Sequence, residues 1–193
     1  MTQPESDTEI LEGCRRGDPQ AQRAVFERYR DRVFSVALHF LKGERAAAED
    51  VTQEVFVKVF RAARSFRGTA RLSTWIYRIA AHACMDELRR RRRLLFFGDL
   101  PAAIHPPVQA ADPAEPDADV VAAVGRLSAK LRIAVLLRYF DDLSYDEIAQ
   151  ALGVTSGTVA SRLNRAHVIL ARELRHLRPA RPREDEGDHA RRS

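Results

Sequence analysis

Between Arg64 and Arg93 nine arginines meet only two acids, Asp86 and Glu87, a local charge of +7 in a chain whose total is +5. Phe66, Trp75 and Tyr77 are interleaved with them. Guanidinium groups hold phosphates, and aromatic rings stack on or enclose unpaired bases, so the combination suits single-stranded DNA and strongly salt-dependent binding. Trp75 sits inside a helical apolar pattern and is expected in the core. Phe66 and the loop from Arg67 to Ser73 are better placed for contact, because a loop can surround an extruded base. Arg89 to Arg93 is either part of this surface or a solvated helix end.

A second constellation lies further on. Ser144-Tyr145-Asp146-Glu147 is a capping box, in which the serine hydroxyl and the glutamate carboxylate each satisfy an orphan backbone N–H. The helix it starts carries Ile148, Ala149 and Leu152. Gly153-Val154 makes a tight turn, and Thr155 or Ser156 caps a longer helix with Val159, Leu163, Ala166 and Leu170 at helical spacing. Two helices around a short glycine turn form the helix-turn-helix, whose second helix enters the major groove of DNA. Ser156, Thr158, Ala160, Ser161, Arg162 and Arg165 would face the groove, with arginine reading guanine or holding phosphate. Val159 and Leu163 should point inward. The same pattern also fits a helical hairpin without a DNA role, and Arg132 and Arg138 on the helix upstream are either phosphate contacts or a solvated face.

Catalytic chemistry has no comparable support. No nucleophile–base–acid spacing, phosphate loop or metal cluster is present, so no catalytic residue, metal or cofactor is expected. Cys14 and Cys84 are the two cysteines, too few for a disulfide framework, and His82 has only Cys84 nearby as a second ligand. Both thiols read as ordinary and reduced, with redox sensing at Cys84, beside arginines that could lower its pKa, as the alternative.

The elements that must position these groups are helical throughout. Thr8 to Arg16 fits a short helix ending at Gly17. Asp18-Pro19 reads as an N-cap with proline at the first helical position, and the helix runs to about Leu41 with Val25, Tyr29, Val33, Val36 and Phe40 as its buried stripe. A third helix fits Arg45 to Ser65, with Val51, Val55, Val59, Phe56 and Phe60 on its apolar side. A fourth starts near Ser73 and runs into the arginine cluster. From Phe96 to Val124 the chain has five prolines and the acids Asp99, Asp112, Glu115, Asp117 and Asp119, without Lys or Arg, which is a linker composition. The expectation is an all-α protein of two small helical domains, 1–95 and 125–178, joined by a flexible acidic linker, 96–124, with a disordered tail, 179–193. The C-terminal domain is the helix-turn-helix. The N-terminal MTQPESDTEI has no basic or apolar leader region, and no apolar run approaches the ~20 residues of a membrane span, so a soluble cytoplasmic protein without membrane insertion is expected.

AEDVTQEVFVKVFRA (Ala48 to Ala62), FRGTARLSTWIYRIA (Phe66 to Ala80) and MDELRRRRR (Met85 to Arg93) resemble conserved domain 2 of the sigma factors that direct bacterial RNA polymerase to promoters. LSYDEIAQALGVTSGTVASRLNRA (Leu143 to Ala166) resembles their domain 4. Two domains without a folded third resemble the extracytoplasmic-function (group IV) branch of the sigma-70 family. The resemblance implies that Asp50, Gln53 and Glu54 dock on the coiled coil of the polymerase β′ subunit. It also implies that Phe66, Arg67, Arg71, Ser73, Thr74, Trp75, Tyr77, Arg78 and His82 recognise and melt the −10 element. The Ser156–Arg165 set would read the −35 element while its domain packs on the β flap, and an anti-sigma factor would hold the protein inactive. Two positions depart from the family pattern: His82 stands where Asn is frequent, and Ala160 where Lys is frequent, so −35 binding would lean on Arg162 and Arg165. A linker of about 28 residues reaches roughly 95 Å at ~3.4 Å per residue, enough to span the roughly 70 Å of two DNA turns. The alternative is a helix-turn-helix regulator acting without replacing sigma, which would ordinarily bind a palindrome as a dimer.

Overall fold

The computed structural model describes residues 7–66, 70–96 and 118–177. Among these residues the chain forms eight α-helices and no strand. In order they are α1 (Asp7–Arg16), α2 (Pro19–Phe40), α3 (Arg45–Ala62), α4 (Leu72–Phe96), α5 (Ala118–Arg126), α6 (Ala129–Tyr139), α7 (Tyr145–Leu152) and α8 (Ser156–Glu173), with a 3-10 turn, Ala63–Ser65, after α3.

Local chemistry accounts for most of these boundaries. Gly17, at φ +80°, ends α1, and the Asp18 carboxylate accepts from the Gln20 N–H at 2.9 Å to start α2, with Pro19 at its first position. Val25, Tyr29, Val33, Val36 and Phe40 are buried at three- and four-residue steps. Burial of each such side chain contributes roughly 1.5–3 kcal/mol. Against this stripe pack Val51, Val55, Phe56 and Val59 of α3 and Ile76, Tyr77, Ala80 and Cys84 of α4. In the second unit the Ser144 hydroxyl accepts from the Glu147 N–H at 3.2 Å, and the Glu147 carboxylate accepts from the Ser144 N–H at 2.9 Å. Gly153, at φ +63°, occupies the left-handed position that ends α7. Of the two possible caps for α8 it is Thr155 that accepts, from the Thr158 N–H at 3.2 Å.

Two features add to the sequence reading. The stretch read as linker, 96–124, ends inside α5, where Ala123 and Val124 are buried; its residues 97–117, like the tail 179–193, lie outside the described residues. The two helical units also share one continuous core: α7 packs along α4, and α5 and α6 pack on α2. Arg132 of α6 is a hinge-pin of this packing. Read as a phosphate contact or a solvated residue, it is instead 5% exposed, and its guanidinium donates to the backbone carbonyls of Phe40, Gly125, Leu127 and Val124 at 2.5, 2.6, 2.8 and 3.2 Å. Its charge is thereby set against the carbonyl-rich ends of α2 and α5, where a cation is favoured.

Candidate nucleic-acid interface

The basic aromatic face is built on the start of α4. Phe66 is buried, with its ring 4.6 Å from that of Trp75, and Trp75 is half-buried against the core. These two, with Ser65, Ala70, Thr74, Arg78 and Gln150, line a groove of about 420 Å³. Arg78 and His82, one turn apart, are exposed, as is Arg71, and Ser73 is half-buried. Arg67 lies outside the described residues.

Thr74 and Tyr77 are almost fully covered, at 2% and 1% exposure. The second unit contributes to this cover. Tyr77 donates its hydroxyl to the Asp141 carboxylate on the turn between α6 and α7, and Arg71 approaches the Glu147 carboxylate at 3.4 Å. Burial, then the Asp141 hydrogen bond, pushes the Tyr77 phenol well above its usual range. Burial also raises the Asp141 carboxyl, against the hydrogen bond from Tyr77 and the nearby charge of Arg32.

Further along α4 the arginine run divides. Arg89 pairs with Asp86 at 2.5 Å, Arg90 with Glu87 at 2.7 Å, and Arg91 with both Glu87, at 2.6 Å, and Glu44. Glu87 is buried, which alone would raise its pKa, but the hydrogen bonds from Arg91 and Arg90 hold it below the usual carboxylate range. Arg92 and Arg93 are exposed without an ion pair among the described residues. Three of the five arginines therefore brace the helix, and two are free to meet phosphate. Cys84 is fully buried on the inner side of this same helix, and burial pushes its thiol up to about 12, opposite to the shift a redox sensor needs.

On α3, Asp50, Gln53 and Glu54 are exposed on the side away from buried Val51 and Val55. Glu54 pairs with Lys58 at 2.6 Å. Gln53 also edges a groove of about 750 Å³ between α2 and α3, floored by Phe26, Phe34, Phe56 and Phe60. The groove escapes a reading by stripes, although Phe26 and Phe34, eight residues apart on α2 and outside its buried stripe, were its signal.

On α8, Val159 and Leu163 are buried, and Ser161 and Arg165 are exposed. Ala160 and Arg162 are half-exposed. Ser156 donates to Asp146, and the Thr158 and Thr155 hydroxyls are 2.9 Å apart. Thr158, Ser161, Arg162 and Arg165 lie three or four apart and share a face.

Two basic faces on two helical units, one of them a helix-turn-helix, are the features of a DNA-binding protein. Residues 25–94 match the family model for sigma-70 region 2, and residues 117–168 that for sigma-70 region 4. The RNA polymerase sigma-H factor of Pseudomonas aeruginosa is 32% identical over 92% of this chain and 98% of its own length, and the ECF RNA polymerase sigma-E factor of Escherichia coli K12 is 30% identical over the same shares. Among solved structures, the sigma factor RpoE of Bartonella quintana, crystallised with the anti-sigma factor NepR, matches with a TM-score of 0.67 at 26% identity, over 81% of this chain and 98% of that one. The chain belongs to the sigma-70 family of RNA polymerase sigma factors, in its extracytoplasmic-function group, whose members direct promoter-specific initiation of transcription. Such factors are regulators of transcription rather than catalysts. No helix among the described residues is long and apolar enough to cross a membrane.

Proposed function

We propose that this factor works, in the cytoplasm and without catalysis of its own, through three separate surfaces. The exposed edge of α3 (Asp50, Gln53, Glu54) docks on core RNA polymerase at its β′ coiled coil. The start of α4, with Arg71, Arg78, His82 and the groove beside Phe66 and Trp75, takes the melted −10 strand. The first turns of α8, led by Ser161, Arg162 and Arg165, read the −35 element, and the same unit rests on the β flap. The observation that carries this reading is that Ser161 and Arg165 of the −35 set and the α3 patch stand exposed on different units while the apolar residues of the same helices are buried. A regulator acting beside another sigma factor would leave the α3 patch unused. An anti-sigma partner is supported by the Bartonella quintana relative, which was solved bound to one; the aromatic groove beside Gln53 is a surface that such a partner's helix could enter.

Transcription on paired templates tests the division of labour. One template carries the complete promoter, and the other is a fork junction lacking the −35 element. The double variant Arg162→Ala, Arg165→Ala should lose roughly 10–100-fold on the first, at ~1–3 kcal/mol of lost base discrimination, and little on the second. Equal loss on both templates would refute the assignment of α8 to the −35 element.

A further inference from the structure

Helix α8 begins on a turn whose hydroxyls are already engaged. Thr155 is its cap: its hydroxyl accepts from the Thr158 N–H at 3.2 Å and lies 2.9 Å from the Thr158 hydroxyl. The Ser156 hydroxyl has no capping duty. It donates instead to the carboxylate of Asp146, in the first turn of α7 and ten residues back in the chain. Ser156 is half-buried and Asp146 is exposed. Behind this link α7 buries Ile148 and Ala149, and α8 buries Val159 and Leu163. Apolar burial is non-directional and tolerates tilting, whereas a hydrogen bond has a narrow range of length and angle. The Asp146–Ser156 bond therefore ties the first turns of the two helices together and fixes the angle between them.

We propose, on the reading that α8 takes the −35 element, that Asp146 is a positioning residue for −35 recognition: it touches no base, and through Ser156 it holds α8 at the angle at which Ser161, Arg162 and Arg165 reach the DNA. The lever is long. Arg165 lies nine residues beyond Ser156, about 14 Å along the axis at ~1.5 Å per residue. A tilt of about 10° at the start of α8 would displace it by about 2 Å, far outside the distance range of a hydrogen bond to a base edge. Local sequence does not supply the same stiffness, because Gly157, in the first turn of α8, is a poor helix former. The assignment moves Ser156, which by residue type alone could contact a base, from reading to support. Specificity then rests on the three side chains further along, of which Ser161 and Arg165 are exposed and Arg162 is half-exposed. The role needs an acceptor oxygen at position 146 and not a charge, so an amide there should serve as well.

The test uses holoenzyme reconstituted from core RNA polymerase and the full chain. The probes are a fluorescein-labelled promoter fragment, taken from a start site that this holoenzyme uses, and the same fragment with its −35 element scrambled. Anisotropy titrations give the ratio of the two affinities, which reports −35 recognition and cancels any change in polymerase or −10 binding. Asp146→Ala and Ser156→Ala should each lower that ratio roughly five-fold or more, through the loss of one hydrogen bond to a charged group. The double variant should lose no more than either single one, because both remove the same bond. Asp146→Asn should keep the wild-type ratio. Arg162→Ala with Arg165→Ala is the control for the underlying reading and should lower the ratio whatever Asp146 does. A lowered ratio in that control with a wild-type ratio in Asp146→Ala overturns the positioning role and leaves the α8 reading in place. Loss in Ser156→Ala alone overturns it too, and returns Ser156 to the groove as a reader. Equal loss in Asp146→Ala and Asp146→Asn makes charge the cause and overturns it as well. An unchanged ratio in the arginine control removes the α8 reading, and the positioning role with it.

Discussion

Replacing Arg132 by methionine keeps much of the side-chain volume and deletes every polar contact that the residue makes. The guanidinium serves four carbonyls, and its charged hydrogen bonds are worth about 1.5–3 kcal/mol each before the desolvation of the buried cation, which costs several kcal/mol, is set against them. The net loss is about 3–5 kcal/mol, a large part of the stability of a domain of this size. Its distribution is specific. Val124, Gly125 and Leu127 belong to the second unit, so most of the loss falls there; the bond to Phe40 O crosses to the first unit and accounts for a smaller share of coupling. Trp75, the single tryptophan, sits on α4 and reports chiefly on the first unit, with Gln150 of the second unit lining the same groove, whereas far-UV circular dichroism reports on all helices. In urea the two signals of the wild type should coincide, because the units share a core. In Arg132→Met the dichroism transition should begin at lower urea than the Trp75 transition. Arg132→Lys should resemble Arg132→Met, since a compact ammonium cannot span four carbonyls. Coincident, wild-type-like transitions in Arg132→Met, or full rescue by lysine, would show that the four carbonyl contacts do not hold the second unit.

Other consequences follow from single sites. Glu87 has a folded pKa below its usual value, so its contribution is present at neutral pH and is lost as pH falls through the folded pKa. Glu87→Gln should therefore cost about 1–3 kcal/mol near pH 7 in urea unfolding, and the gap from wild type should shrink below about pH 4; a gap independent of pH would contradict the ion-pair account. Gly153→Ala meets no atom within 4 Å but must adopt a left-handed backbone, so the expected cost is about 1 kcal/mol with a fall of a few degrees in Tm, and an unchanged Tm would show that the cap is dispensable. Cys84 should resist a disulfide reagent in the native protein and react on denaturation, and rapid native labelling would reopen redox sensing. Asp50→Ala with Gln53→Ala should weaken binding to core polymerase while leaving the melting curve unchanged, because both side chains are exposed; undiminished affinity would remove the α3 assignment.

Local chemistry was legible in the sequence, and long-range cover was not. The stripe of α2, the Asp18-Pro19 start, the capping box at Ser144 and the turn at Gly153 are encoded within a few residues, and the structure has each of them. Val159 and Leu163 were rightly turned inward by their period. Period alone shows which face of a helix is apolar, not what lies on its other faces. Tyr77 meets Asp141 64 residues away, and Arg132 meets the Phe40 carbonyl 92 residues away, across a segment whose proline and acid content argued for independent domains. The burial of Arg132 is hidden from the sequence for the same reason: an arginine on a helix is ordinarily solvated, and only the convergence of two helix ends gives it a buried role. Phe66 lies in a polar break yet is buried, because the Trp75 ring closes over it from the next turn of chain.

Promoter choice by RNA polymerase is the property expected of this chain. Reconstituted core enzyme, free of any other sigma factor, should be supplied with fragmented genomic DNA, with and without the chain, and the 5′ ends of the transcripts mapped. Discrete start sites that require the chain and share paired upstream elements about two helical turns apart are expected. The same starts without the chain, or no defined start with it, would show that promoter choice lies elsewhere.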